Sequence, residues 1–231
     1  MVKNIDEDCQ RRIDRCKVDS KTKKRKPVRL LIPVGGAGAQ RKFIISLIKA
    51  LAPLVKNGSV QLLLNAGDHE HMKTAFLQVL DEYSMDFQTV TDTPGVMAFQ
   101  KKLLDANQEP AKPVTLFAFA DYFPAVATTD ILCRVADVLT CKPSELAFYC
   151  LPKLHVRRVG DHEGFSAIRA SELGDGTPEA REIQDALAYV GLFLQGPDLL
   201  VQMNECVVKN NKIGIYDGCK RSVELVMERA K

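Results

Sequence analysis

The sequence contains no tryptophan, no Cys-x-x-Cys pair, and no apolar run approaching the roughly 18 residues that a membrane-spanning helix needs. Each absence removes a class. Without the long run, no segment reads as a transmembrane helix. The first residues, Met1-Val-Lys-Asn-Ile-Asp-Glu-Asp8, lack an apolar stretch, so no secretory signal is read there. The seven cysteines (9, 16, 133, 141, 150, 206 and 219) are odd in number and scattered, which does not suit a secreted disulfide framework. Several sit in apolar patterns, as Cys133 does in Ile-Leu-Cys-Arg-Val-Ala, where a free thiol packs as a small hydrophobe. The expectation is a soluble, cytoplasmic protein of a reducing compartment. His69-Glu-His71 is the one close histidine pair, but residues i and i+2 leave different sides of a helix, so no metal site is expected.

Strong charge of either sign is also missing, and the net +3 hides an asymmetry. Residues 1–27 hold ten Lys/Arg against five Asp/Glu, whereas the rest of the chain is slightly acidic, at 22 against 24. The basic excess ends in Lys21-Thr-Lys-Lys-Arg-Lys26-Pro27 and reads as a flexible arm or linker preceding a domain over residues 28–231. Such a run could touch acidic lipid headgroups, which allows peripheral contact with a membrane surface. No aromatics interleave with it and the body is not basic, so no nucleic-acid partner is expected. Ordinary apolar and charged fractions exclude a disordered chain, a collagen-like repeat and a coiled coil, and 231 residues can bury a sizeable core.

What is present alternates between two periods. Short apolar runs at 28–34, 60–65, 86–90, 114–119, 138–139 and 154–159 read as buried strands. Between them, helical spacing recurs, as with Ile44, Leu47, Ile48 and Leu51 on one face. Helices are expected near 40–55, 69–83, 94–106, 124–136, 163–172, 179–194, 197–210 and 217–230. This pattern predicts an α/β fold: a doubly wound, mostly parallel, Rossmann-like sheet with extra C-terminal helices.

Ligands of such sheets sit beyond the carboxyl ends of the strands, which directs attention to the loops there. The first is Gly35-Gly36-Ala37-Gly38-Ala39-Gln40, where glycines and a helix N-terminus suit an anion. It is not a dinucleotide fingerprint, because Arg41 stands where a third glycine belongs and no acid ends strand two at the right distance. Nor is it a P-loop, since no Gly-Lys-Ser/Thr follows. The second runs from Ala136-Asp137 through Lys142-Pro143-Ser144-Glu145; taken alone, Glu145 in a first helical turn completes a helix dipole. The third, Gly160-Asp161-His162-Glu163-Gly164, crowds three ionisable side chains into one turn and is open to reading as a cap or as a site.

Taken in order, these loops resemble the C-terminal, donor-binding domain of GT-B-fold glycosyltransferases, the group that includes lipid II-forming N-acetylglucosaminyltransferases and monogalactosyldiacylglycerol synthases. The counterparts are Gly35-Gly36-Ala37-Gly38-Ala39, Ala136-Asp137-Val138-Leu139, Lys142-Pro143, Ser144-Glu145-Leu146 and His162-Glu163-x-x-Ser166-Ala167, with Phe119-Ala-Asp121-Tyr122 like the segment that contacts the base. The turn between Lys-Pro and Ser-Glu is shorter here, and His162 and Ser166 replace the family's common Gln and Asn.

The resemblance implies a UDP-type nucleotide-diphospho-sugar as substrate, with no separate cofactor and no metal. Gly35, Gly36, Gly38, Ala39, Gln40, Lys142, Ser144 and Glu145 would bind it, Glu145 at the ribose, and His162 and Glu163 would act at the sugar. It implies an acceptor-binding domain in a longer protein or on a partner chain. Two other readings stand beside it: a non-catalytic interaction module retaining the half fold, and a nicotinamide oxidoreductase, which the missing third glycine disfavours.

Overall fold

Leucine, isoleucine and valine dominate Val28–Pro33 (β1) and Val60–Gly67 (β2), and both strands are buried on their two faces almost throughout. The computed structural model describes residues 4–20, 24–34, 40–105, 108–146 and 148–229. Phe87–Val90 (β3), Val114–Ala118 (β4), Val138–Cys141 (β5) and Lys153–His155 (β6) complete one sheet in the order β3-β4-β2-β1-β5-β6. Every pairing is parallel. The expected doubly wound α/β architecture is therefore present, and all loops that leave a strand emerge along one edge.

Alternation along the strands builds two cores. Leu30, Ile32, Leu62, Leu64, Leu116 and Val156 face Arg41–Lys56 (α2), Glu70–Glu82 (α3) and Ile183–Gln195 (α7). Leu31, Leu63, Phe117 and Leu139 face Thr93–Leu104 (α4) and Tyr122–Cys133 (α5). Gly164–Leu173 (α6), Asp198–Lys212 (α8) and Gly218–Arg229 (α9) follow β6 or α7. The sixth strand is shorter than the expected 154–159, because beyond His155 the chain makes only an isolated bridge, Val156 with Ala180.

Residues 1–27 do not behave as a flexible arm throughout, and this expectation is corrected. Ile5–Cys16 forms a helix, α1, whose Ile5 and Cys9 bury against Val207 of α8. Its arginines turn inward. Arg12 donates to the carbonyls of Ala136 (2.8 Å) and Cys133 (2.7 Å), supplying partners at the C-terminal end of α5. Arg15 grips Asp137, Nε to Oδ1 at 3.0 Å and Nη2 to Oδ2 at 3.2 Å. Asp137, part of the family-like Ala-Asp stretch, thus lies at the amino edge of the sheet as an ion-pair partner.

Arg12→Met would retain apolar bulk and leave those buried carbonyls without their donor. It is expected to lower stability by about 2 kcal/mol, read as a lower urea midpoint with an unchanged slope.

Candidate functional site

The carboxyl edge carries a cleft of ≈ 310 Å³ walled by the ends of β1 and β2, by α5, and by Glu145, Leu146, Phe148 and Tyr149 after β5. Asn65 fixes its geometry. Its Oδ1 accepts the Gly67 N–H (3.0 Å), and its Nδ2 donates to the Ala125 carbonyl (3.2 Å) and to Thr129 Oγ1 (3.0 Å), holding α5 over the end of β2. Gly67 turns the chain with φ +64°, a conformation that favours glycine, and so brings Asp68 and His69 into the cleft. His69 Nδ1 lies 3.9 Å from the Asp68 carboxylate. Tyr122 and the Phe148–Tyr149 pair, with ring centroids 4.5 Å apart, supply aromatic walls. Burial pushes the Tyr149 phenol up, so it stays a neutral hydrogen-bonding group.

Asp68 and Glu145 are the carboxylates of the described lining, which includes no lysine or arginine. The cleft therefore suits a ligand part rich in hydroxyl or N–H donors with a flat face to stack.

Of the expected binding residues, Glu145 lines this cleft. Gly35, Gly36, Gly38 and Ala39 lie outside the described residues. Gln40, at the start of α2, donates to the Arg157 carbonyl and ties the loop after β1 to the chain beyond β6.

Lys142, Ser144 and Glu163 do come together, but as a knot. Glu163 Oε1 accepts from Lys142 Nζ (2.7 Å) and Ser144 Oγ (2.8 Å), and Oε2 from the N–H groups of Val159 (2.7 Å) and Gly160 (3.4 Å). Burial alone would push this carboxyl up. The lysine, the backbone N–H groups and the serine outweigh it and hold the pKa down at about 2. Glu163 is 3% exposed with both oxygens engaged. It clamps the loop after β5 to the loop after β6. His162 is exposed in the short 3₁₀ turn Asp161–Glu163, its ring folded back so closely that a Cβ at Gly160 would stand 2.6 Å from Cε1.

Asp68, His69 and Phe148 are cleft residues that sequence reasoning left unassigned to a ligand pocket, whereas Tyr122 belongs to the segment likened to the base-contacting one. The usable signal was positional. His69 follows β2 directly, at the edge where ligands collect, whereas its spacing to His71 argued only about metal.

An all-parallel sheet with helices on both faces defines a doubly wound α/β domain, here with a cleft across its strand ends. The chain belongs to the family described as Domain of unknown function (DUF6938), whose model matches residues 1–227. It is similar to the crystal structure of Acinetobacter baumannii MurG, with 16% identity and a TM-score of 0.45 over 91% of this chain and 52% of that one. The chain thus spans about half the length of that structure. No curated protein matches. Among the described residues, no helix is long and apolar enough to cross a membrane, and no cluster of His, Cys, Asp and Glu could hold a metal ion.

Proposed function

We propose that the carboxyl-edge cleft is the binding site for a nucleotide-diphospho-sugar donor, and that the domain serves as the donor half of a GT-B-type glycosyl transfer. The observation that carries this reading is Glu145, placed in a ≈ 310 Å³ cleft together with Asp68, His69 and aromatic walls. The volume is at the low end of small-molecule sites, roughly 300–1,000 Å³, and suits one nucleoside better than a whole sugar nucleotide. Glu145 accepts ribose hydroxyls, and Tyr122 or Phe148 stacks on the base. The glycines at 35, 36 and 38 take the diphosphate through backbone N–H groups. His69, with Asp68 beside it, is the cleft group able to take or give a proton at a hydroxyl. Transfer itself needs an acceptor-binding domain or partner chain to bring an acceptor hydroxyl to the sugar.

The interaction-module reading draws on a different observation. Apolar side chains crowd the same edge in the open, with Phe123 82% and Phe165 76% exposed, and α9 buries none of its residues.

Calorimetric titration with UDP, GDP, ADP and NADH separates these readings. Selective binding of one nucleoside diphosphate is expected, UDP foremost, with Glu145→Ala weakening it by about tenfold or more while the melting temperature barely moves. Equal affinity in wild type and Glu145→Ala contradicts the ribose role; preference for NADH contradicts the donor reading.

A further inference from the structure

A second cavity opens at the opposite edge of the sheet. It has a volume of ≈ 310 Å³ and lies where the segment 24–26 passes between α1, the amino end of β1, and helices α7 and α8. A six-residue strand at about 3.3 Å per residue puts it roughly 20 Å from the carboxyl-edge cleft, so the two do not share a ligand. Its lining combines the basic side chains of Arg15, Lys24, Arg25 and Lys26 with apolar ones that include Phe193 and Leu200.

The described lining holds four basic side chains, Arg15, Lys24, Arg25 and Lys26. Asp137 is the one carboxylate of the described lining. It is gripped by the Arg15 guanidinium and accepts the Arg29 N–H at 2.8 Å. Glu109 reaches in behind it and is shared by three cations: Arg15 at 2.8 Å, Arg29 at 2.8 Å and Lys26 at 3.8 Å. Asp137 and Glu109 are thus shared among Arg15, Arg29 and Lys26. Arg25 adds a fourth positive charge, its guanidinium donating to the neutral carbonyl of Leu194. Lys24 stands beside Asp19, whose N–H bonds the Lys24 carbonyl at 2.9 Å. Concentrating positive charge in a partly enclosed site is unfavourable unless an anion completes it, and the same enclosure strengthens attraction to that anion.

We propose that this amino-edge cavity is a binding site for a phosphate monoester bearing a compact apolar group, the phosphate meeting Arg25 and Lys26 and the apolar group lying on Phe193 and Leu200. Arginine and lysine recognise phosphate by charge-assisted hydrogen bonds, and the volume is at the small end of ligand sites. The ester can be a free small molecule or the headgroup of a lipid, which share this chemistry.

Phenyl phosphate serves as the soluble probe, titrated into the isotope-labelled full chain and followed by two-dimensional NMR. Progressive shifts are expected at Arg25, Phe193, Leu194 and Leu200. Arg25→Ala should weaken binding about tenfold or more, and Arg25→Lys, which keeps the charge, should recover part of it. Thermal unfolding of each variant checks that it still folds. Phosphatidylcholine vesicles with and without phosphatidic acid form the second arm. Arg25-dependent binding to the acidic vesicles as well as to phenyl phosphate identifies the lipid source; phenyl phosphate alone identifies a free ester. Absence of shifts around Phe193 and Leu200, or binding to the probe that Arg25→Ala leaves unchanged, overturns the proposal. Because the shifts are assigned to residues, binding at the carboxyl-edge cleft is told apart from binding here, and failure of one site leaves the other standing.

Discussion

Asp175→Ala is expected to bring the domain close to global unfolding, a loss of about 3–5 kcal/mol. The reason lies in β6. Lys153 is fully buried, and its Nζ has Asp175 Oδ2 at 3.1 Å and the Leu151 carbonyl at 3.3 Å. Tyr216 donates to the same aspartate oxygen at 2.7 Å. Removing the carboxylate strands an ammonium in an apolar interior, a loss that rivals the whole stability of a small domain, about 5–15 kcal/mol. The backbone shares the load: Lys153 N–H bonds the Asp175 carbonyl, and Thr177 N–H bonds that of Lys153, both at 2.9 Å.

Urea unfolding at neutral pH measures the effect. The paired change Lys153→Met with Asp175→Leu should recover most of the loss, because it removes both charges and keeps bulk. A loss under about 1 kcal/mol for Asp175→Ala contradicts the assignment of Lys153 as a buried cation dependent on this partner.

Glu163→Gln is the second large effect, expected at about 3 kcal/mol near neutral pH. A glutamine keeps the shape but turns one acceptor into a donor facing Lys142, Ser144 or the Val159 N–H. The pH dependence identifies the cause. In the folded chain the Glu163 carboxyl stays ionised down to about 2, against an ordinary 4.5. As pH falls below about 4.5 the unfolded chain takes up that proton first, so the stabilisation present above this range drains away between about 4.5 and 2.

His155 acts in a higher window. Burial pushes its imidazole down to about 4, only partly countered by its bond to the Thr177 carbonyl, so its share drains between about 6.5 and 4. Glu163→Gln should shrink the loss in the lower window by the share of Glu163 and leave the upper one unchanged. An undiminished loss between about 4.5 and 2 in the variant would show that Glu163 is not a group responsible.

How much of this was legible in the sequence follows from the range of the interactions. The helix over 41–56 could be read because Ile44, Leu47, Ile48 and Leu51 repeat at helical spacing, and the structure buries all four. The parallel strands could be read as short apolar runs ended by turn residues. Helix α1 was hidden by its charge. Arg12 and Arg15 look like solvent-facing residues of a basic arm until their partners, 121 to 124 positions away, are known. The same distance problem divided the candidate site. Glu145 reaches the cleft from local sequence, directly after β5. Whether Glu163 serves a ligand or a clamp depends on Lys142 and Ser144, 21 and 19 residues earlier. Asp68 and His69 carry no motif; only the sheet order, with β2 beside β1, brings them into one cleft with Glu145.

The most direct test of the account is a two-dimensional NMR titration of the full chain with UDP, read residue by residue. The donor-site reading predicts progressive shifts at Gly67, His69, Tyr122 and Glu145, lost or greatly weakened in Glu145→Ala. No shift at these residues up to millimolar UDP, or shifts confined to the amino edge around Arg25 and Phe193, would contradict it.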